Sequence, residues 1–163
     1  VEIVRREYQY DARLTLVGDM ESADLQTDLI NTPGWEYVEY VGTQPRDKAL
    51  SHVQHARAGL VLYHAAPNHM YAQPNKLFEY MACGTPVVAS NFPYWKGIVQ
   101  NVGCGLIVDP QDPWEIAEAV KYLFDHPDEA ASMGRRGREA VLREYNWETQ
   151  IPTVLGLYER LLS

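Results

Sequence analysis

The stretch from residue 64 to residue 84, His-Ala-Ala-Pro-Asn-His-Met-Tyr-Ala-Gln-Pro-Asn-Lys-Leu-Phe-Glu-Tyr-Met-Ala-Cys-Gly, carries the densest set of groups able to do chemistry. An apolar run ends at Tyr63, a polar loop follows from His64 to Gln73, and Pro74 opens a helix that Gly84 stops. The first N–H groups of such a helix, those of Asn75, Lys76 and Leu77, lack acceptors within the helix and sit at the positive end of its dipole. They form an anion site, with one donor lost because Pro74 has no N–H. Glu79 follows about one and a half turns on, with Phe78, Met81 and Ala82 as the core face. Its carboxylate can accept two hydroxyls, as a group gripping a ribose diol would. A solvated helix glutamate is the alternative, and Lys76 is either a phosphate ligand or a surface lysine.

Other chemistry-bearing residues are less organised. His52 and His55 fall on one helix and His64 and His69 on one loop, but no spacing suits a closed zinc site. His64, at a strand end, is a donor contact or an ordinary loop histidine. Cys83 and Cys104 make no C-x-x-C pair and read as reduced thiols, with one disulfide as the alternative. Gly18-Asp19 and Gly42-Thr43 follow strands, as glycines that turn the chain or as ligand contacts through the backbone. Arg135, Arg136 and Arg138 form a solvated helical face or a membrane-surface patch.

These residues need a scaffold, and the apolar pattern supplies one. Short β-rich runs at Leu14–Val17, Trp35–Val41, Gly59–Tyr63, Pro86–Ala89 and Gly105–Val108 alternate with helical stretches. The helices are expected over Val1–Tyr8, from Ser22 as cap to Asn31, Pro45–Arg57, Pro74–Cys83, Tyr94–Gln100, Pro113–Asp125, Pro127–Glu144 and Trp147–Leu162. Strands apolar on both faces between helices predict a Rossmann-like α/β fold with a doubly wound parallel sheet. Its ligand belongs at the C-terminal ends of the strands. The last helix carries a wide stripe of Ile151, Val154, Leu155, Tyr158, Leu161 and Leu162.

Composition limits the partners. The 163 residues are 46% hydrophobic and 22% charged, with a net charge of -8. An acidic chain of this kind is a poor match for nucleic acid. No apolar run approaches the roughly 18 residues a membrane span requires.

The run Pro74-Asn75-Lys76-Leu77-Phe78-Glu79-Tyr80-Met81-Ala82-Cys83-Gly84-Thr85-Pro86-Val87-Val88-Ala89-Ser90 resembles the nucleotide-sugar site of retaining family 4 glycosyltransferases. Residues 12–19, 41–42, 103–110 and the segment from Met133 to Trp147 match that family in the same order. The resemblance implies the C-terminal, donor-binding lobe of a GT-B fold over residues 1–163. It implies a cytoplasmic hexosyltransferase of polysaccharide biosynthesis, acting on a glycan or lipid-linked acceptor, with peripheral association at the inner membrane face as a further option. It further implies that Glu79 holds the ribose hydroxyls. Gln73, Asn75, Lys76 and Leu77 would serve the sugar and diphosphate, and Gly18 and Thr43 the base. The family's first glutamate falls on Tyr71, whose hydroxyl takes over, or the sugar is held differently, or transfer is weak. The UDP- or GDP-sugar is a substrate, and neither metal nor cofactor is expected. A nucleotide-binding module without catalysis and another GT-B enzyme, such as an epimerase, are the alternatives.

The chain opens at Val1 without an initiator Met or a helix cap. The expectation is a lobe truncated at its N-terminus, without the acceptor-binding lobe and without its own central first strand. Five strands would then leave a gap in the sheet.

Overall fold

The computed structural model describes residues 1–162, and its core is organised around one strand. That strand, β4 (Val87–Ser90), lies between β3 (Gly59–Val61) and β5 (Gly105–Val108), parallel to both. All four β4 residues are buried. Val87 and Ala89 pack with Leu77 and Met81 of α5 (Asn75–Cys83) and with Trp95 and Val99 of α6 (Pro93–Val102). Val88, pointing the other way, packs with Leu123 of α7 (Pro113–Asp125) and Met133 of α8 (Pro127–Arg143). Successive side chains thus enter helical layers on opposite faces, which is the doubly wound arrangement expected.

The strands do not form one sheet. β1 (Leu14–Val17) and β2 (Val38–Gly42) pair in parallel as a separate two-stranded ladder. Among the described residues no strand joins the two ladders. In chain order α1 (Glu2–Arg6) precedes this ladder, α2 (Ala23–Ile30) links its strands, and α3 (Arg46–His55) follows it, lying along α5. Val4 of α1, Ala12 and Ala117 of α7 form the small cluster associated with this part of the chain.

Several boundaries differ from expectation for identifiable reasons. Residues 35–37 are not strand: Pro33–Tyr37 is a 3₁₀ turn, and strand begins at Val38, where Leu14 becomes its partner. β3 ends at Val61, because the Tyr63 N–H turns aside to the Ser90 hydroxyl at 2.9 Å. The loop 64–73 contains a one-turn helix, α4 (Pro67–Met70), with proline at its first position.

Gly84 ends α5 in the left-handed conformation, φ 75°, as its position predicted. α8 crosses that end closely enough that a Cβ on Gly134 would stand 1.9 Å from the Gly84 carbonyl oxygen. Arg138 donates to the Ala82 carbonyl at 2.9 Å and Arg136 to the Gly103 carbonyl at 2.7 Å. Two of the three clustered arginines therefore satisfy carbonyls at helix C-termini. The apolar stripe of α9 (Trp147–Leu162) is exposed at every position named above, and no residue of that helix is buried.

Candidate functional site

The candidate residues lie at the start of α5 and just after the ends of β1, β2 and β3. Pro74 precedes α5 with extended backbone and no side-chain cap. Asn75 and Lys76 are exposed, and their N–H groups precede the first carbonyl the helix could offer them. Leu77 is a correction: its N–H donates to the Pro74 carbonyl at 3.0 Å, and its side chain is fully buried under β4. The 3₁₀ closure of this first turn removes Leu77 from the set of available donors, leaving two.

Lys76 and Glu79 diverge. The Lys76 ammonium lies 5.0 Å from the centroid of the Tyr63 ring, at the end of β3. Glu79 turns the other way, toward α3, where its Oε1 is 3.1 Å from a guanidinium nitrogen of Arg46. Cationic and carboxylate functions therefore sit on two sides of one helix start.

The loop preceding α5 is braced against α6. Trp95 donates its indole N–H to the Ala72 carbonyl at 2.7 Å, and Gln73 donates its amide to the Tyr94 hydroxyl at 2.7 Å. Tyr63 stands edge-on to Trp95 and to His69, with centroids 5.4 and 5.0 Å away. His69 bonds through Nδ1 with the His64 carbonyl, so this pair fastens the loop internally. Gln73 is thus committed to α6 in this state. Tyr71, at the end of α4, is 80% exposed and open to solvent.

At the other strand ends, Gly18 donates its N–H to the Gly42 carbonyl at 2.9 Å, with both glycines at positive φ. The Gly18 N–H is therefore engaged between the two strand ends. Thr43 is exposed, and Gln44 behind it donates to the Val41 carbonyl.

Both thiols are free. Burial pushes the Cys104 thiol up to about 11 and raises that of Cys83 as well. Among the described residues no three His, Cys, Asp or Glu side chains converge as metal ligands, and no helix is long and apolar enough to cross a membrane. Two surface concavities, one lined by Ala56, Arg57 and Leu123 and the other by Arg136, Arg143 and Tyr145, include none of the residues at the α5 start. The second hollow also carries the carboxylates of Glu139 and Glu144 beside its arginines, whereas the α5 start adds unpaired backbone N–H groups.

The layered parallel architecture defines a Rossmann-like lobe. Residues 1–156 match the profile of the glycosyl transferase-like family, and the chain belongs to that family. Over 71 residues it is 38% identical to the GDP-mannose-dependent alpha-(1-6)-phosphatidylinositol monomannoside mannosyltransferase of Mycobacterium tuberculosis, covering 44% of this chain and 18% of that protein. Its fold matches sucrose-phosphate synthase from Thermosynechococcus elongatus with a TM-score of 0.75 and 22% identity, covering 99% of this chain and 49% of the other. It also matches Anabaena HepE in complex with UDP, with a TM-score of 0.76 and 20% identity over 89% of this chain and 41% of the other. The chain therefore spans half or less of the length of these proteins.

Proposed function

We propose that this chain is the donor-binding lobe of a hexosyltransferase that takes a nucleoside diphosphate sugar and serves polysaccharide or glycolipid assembly. The observation that carries the reading is the divergence of Lys76 and Glu79 from one helix start. A nucleotide laid across that start meets a carboxylate on the α3 side, suited to ribose hydroxyls. Toward Tyr63 it meets an ammonium and the amides of Asn75 and Lys76, suited to a diphosphate. Thr43, at the end of β2, then borders the base. A GDP-mannose-dependent relative and a structural neighbour holding UDP support this class of donor.

The chemistry follows from charge. Transfer breaks the bond between the anomeric carbon and the diphosphate oxygen, and negative charge builds on the leaving diphosphate. Fixed donors aimed at that charge lower the barrier, each by about 3 kcal/mol in comparable sites. In this reading the chain's own amides and Lys76 provide the stabilisation without a metal, and transfer proceeds with retention. The acceptor is held by a second lobe.

Calorimetric titration of UDP and GDP into the wild-type chain and Glu79→Ala tests the ribose role. A carboxylate with two hydroxyl partners is worth about 1.5–3 kcal/mol, so the variant binds roughly 10- to 100-fold more weakly. Equal affinities would overturn the assignment.

A second reading, a nucleotide-binding module without transfer, is favoured by Tyr71, an exposed phenol where the resemblance calls for a carboxylate. Replacing it, Tyr71→Glu in the full-length protein, separates the two. A gain in transfer rate supports a degenerate site, and a loss supports a site adapted to tyrosine.

A further inference from the structure

The partner of Glu79 comes from another element. Lys76 stands about one turn earlier on α5, at the i−3 spacing from which a lysine can reach a glutamate. Its ammonium is instead placed over Tyr63, and the cation beside Glu79 is Arg46, the first residue of α3. Helix energetics do not call for an arginine there. A helix start disfavours cations, and Pro45 before it offers no side-chain cap.

Arg46 and Glu79 meet because α3 lies along α5. At the far ends of the two helices Thr85 donates its hydroxyl to the Val53 carbonyl at 2.8 Å, which fixes the pair a second time. The Arg46 side chain is 78% exposed and that of Glu79 36%. An ion pair this open contributes little to folding, so stability is a weak reason for its presence. A carboxylate has about four acceptor sites, and even a bidentate arginine leaves two for a diol.

Resting on the donor-site reading above, we propose that Arg46 is a positioning residue that sets the preference for ribose over deoxyribose. Its guanidinium holds the Glu79 carboxylate in the orientation that accepts both ribose hydroxyls. It also offsets the carboxylate charge, which would otherwise repel an approaching diphosphate from a chain whose net charge is already -8. A guanidinium that only decorated the surface would leave sugar discrimination unchanged.

The experiment titrates UDP and 2′-deoxyuridine diphosphate, and GDP and its 2′-deoxy form, into four proteins: wild type, Arg46→Ala, Arg46→Lys and Glu79→Ala. Circular dichroism confirms folding of each variant. Wild type favours the ribonucleotide by about tenfold, consistent with one lost charge-assisted hydrogen bond. Arg46→Ala reduces that ratio to about threefold or less, and Arg46→Lys retains most of it. An unchanged ratio in Arg46→Ala, or tighter ribonucleotide binding by it, overturns the proposal. If Glu79→Ala weakens binding while Arg46→Ala leaves the ratio intact, this inference alone fails. If Glu79→Ala binds as wild type does, or wild type binds no nucleotide, the donor-site reading fails and takes this inference with it.

Discussion

The two strand ladders share a parallel β-helix-β construction, yet they are buried to different degrees. In the three-stranded ladder every residue of β4 is buried, and so are two of the three in β3. In the two-stranded ladder no residue of β1 or β2 is buried, and α2, which connects them in the chain, buries none either. The cause is coverage: β4 has a strand on each side and helices over both faces, whereas β1 and β2 have only each other as ladder partners. The proposed donor site draws on both halves. Its anion side rests on the packed half, and Thr43 and Arg46 belong to the thinner one. Tight packing in one half and openness in the other mean that equivalent perturbations have unequal consequences.

The largest contrast is between two glycines. Gly134→Ala forces a Cβ into the Gly84 carbonyl oxygen, backbone that cannot swing away, and is expected to destabilise the chain by about 3 kcal/mol or more. Gly18→Ala in the thinner half meets no atom within 4 Å and strains only a positive φ, at about 1–2 kcal/mol. Urea midpoints at constant slope measure both, and equal shifts would contradict the contrast.

Side-chain truncation gives the next step. Met81→Ala empties a fully buried position between α5 and β4, with a loss of about 2–5 kcal/mol, whereas Val17→Ala at a 39% exposed strand end costs under about 1 kcal/mol. A smaller loss follows from Ser90→Ala. Its buried hydroxyl accepts from the Tyr63 N–H at 2.9 Å and donates to the Tyr63 carbonyl at 3.1 Å. Removing it strands that amide at about 1–3 kcal/mol, and Lys76 loses the fixed ring beneath it. Thermal melts, with nucleotide titration of the same variant, read both effects.

The smallest effect is confined to alkaline pH. Cys104 titrates near 11 in the folded chain against an ordinary 9.0, because burial disfavours the thiolate. The folded state holds that proton more tightly, so its contribution is fully present below about pH 9 and is lost as pH rises toward 11. Between pH 8 and pH 10.5 the wild-type urea midpoint should fall further than that of Cys104→Ala, and parallel falls would show the thiol to be uninvolved.

Much of the fold is legible because local signals and burial agree. Apolar residues at 87–89 between breakers specify β4, the prolines at 113 and 127 start α7 and α8, and Gly84 stops α5. The errors fall where tertiary bonding overrides local pattern. Tyr63 has a strand residue's character, but the Ser90 hydroxyl captures its amide. Leu77 has a donor's position, but the tight first turn closes on the Pro74 carbonyl. At the site, the helix start alone leaves Glu79 and Lys76 readable as solvated surface residues, and the family resemblance of residues 74–90 is what raises them as candidates. The pairing of Glu79 with Arg46 is not legible, since it depends on how α3 lies along α5 and no spacing encodes that. The same holds for Arg136 and Arg138, which look like a charged face until the carbonyls of Gly103 and Ala82 come within reach.

A structure of this chain with UDP or GDP bound would test the donor site most directly. The prediction is a ribose with its hydroxyls within hydrogen-bond distance of the Glu79 carboxylate, and phosphate oxygens on the N–H groups of Asn75 and Lys76. A nucleotide seated elsewhere, for example in the hollow beside Arg136 and Arg143, with Glu79 making no contact to it, would contradict it.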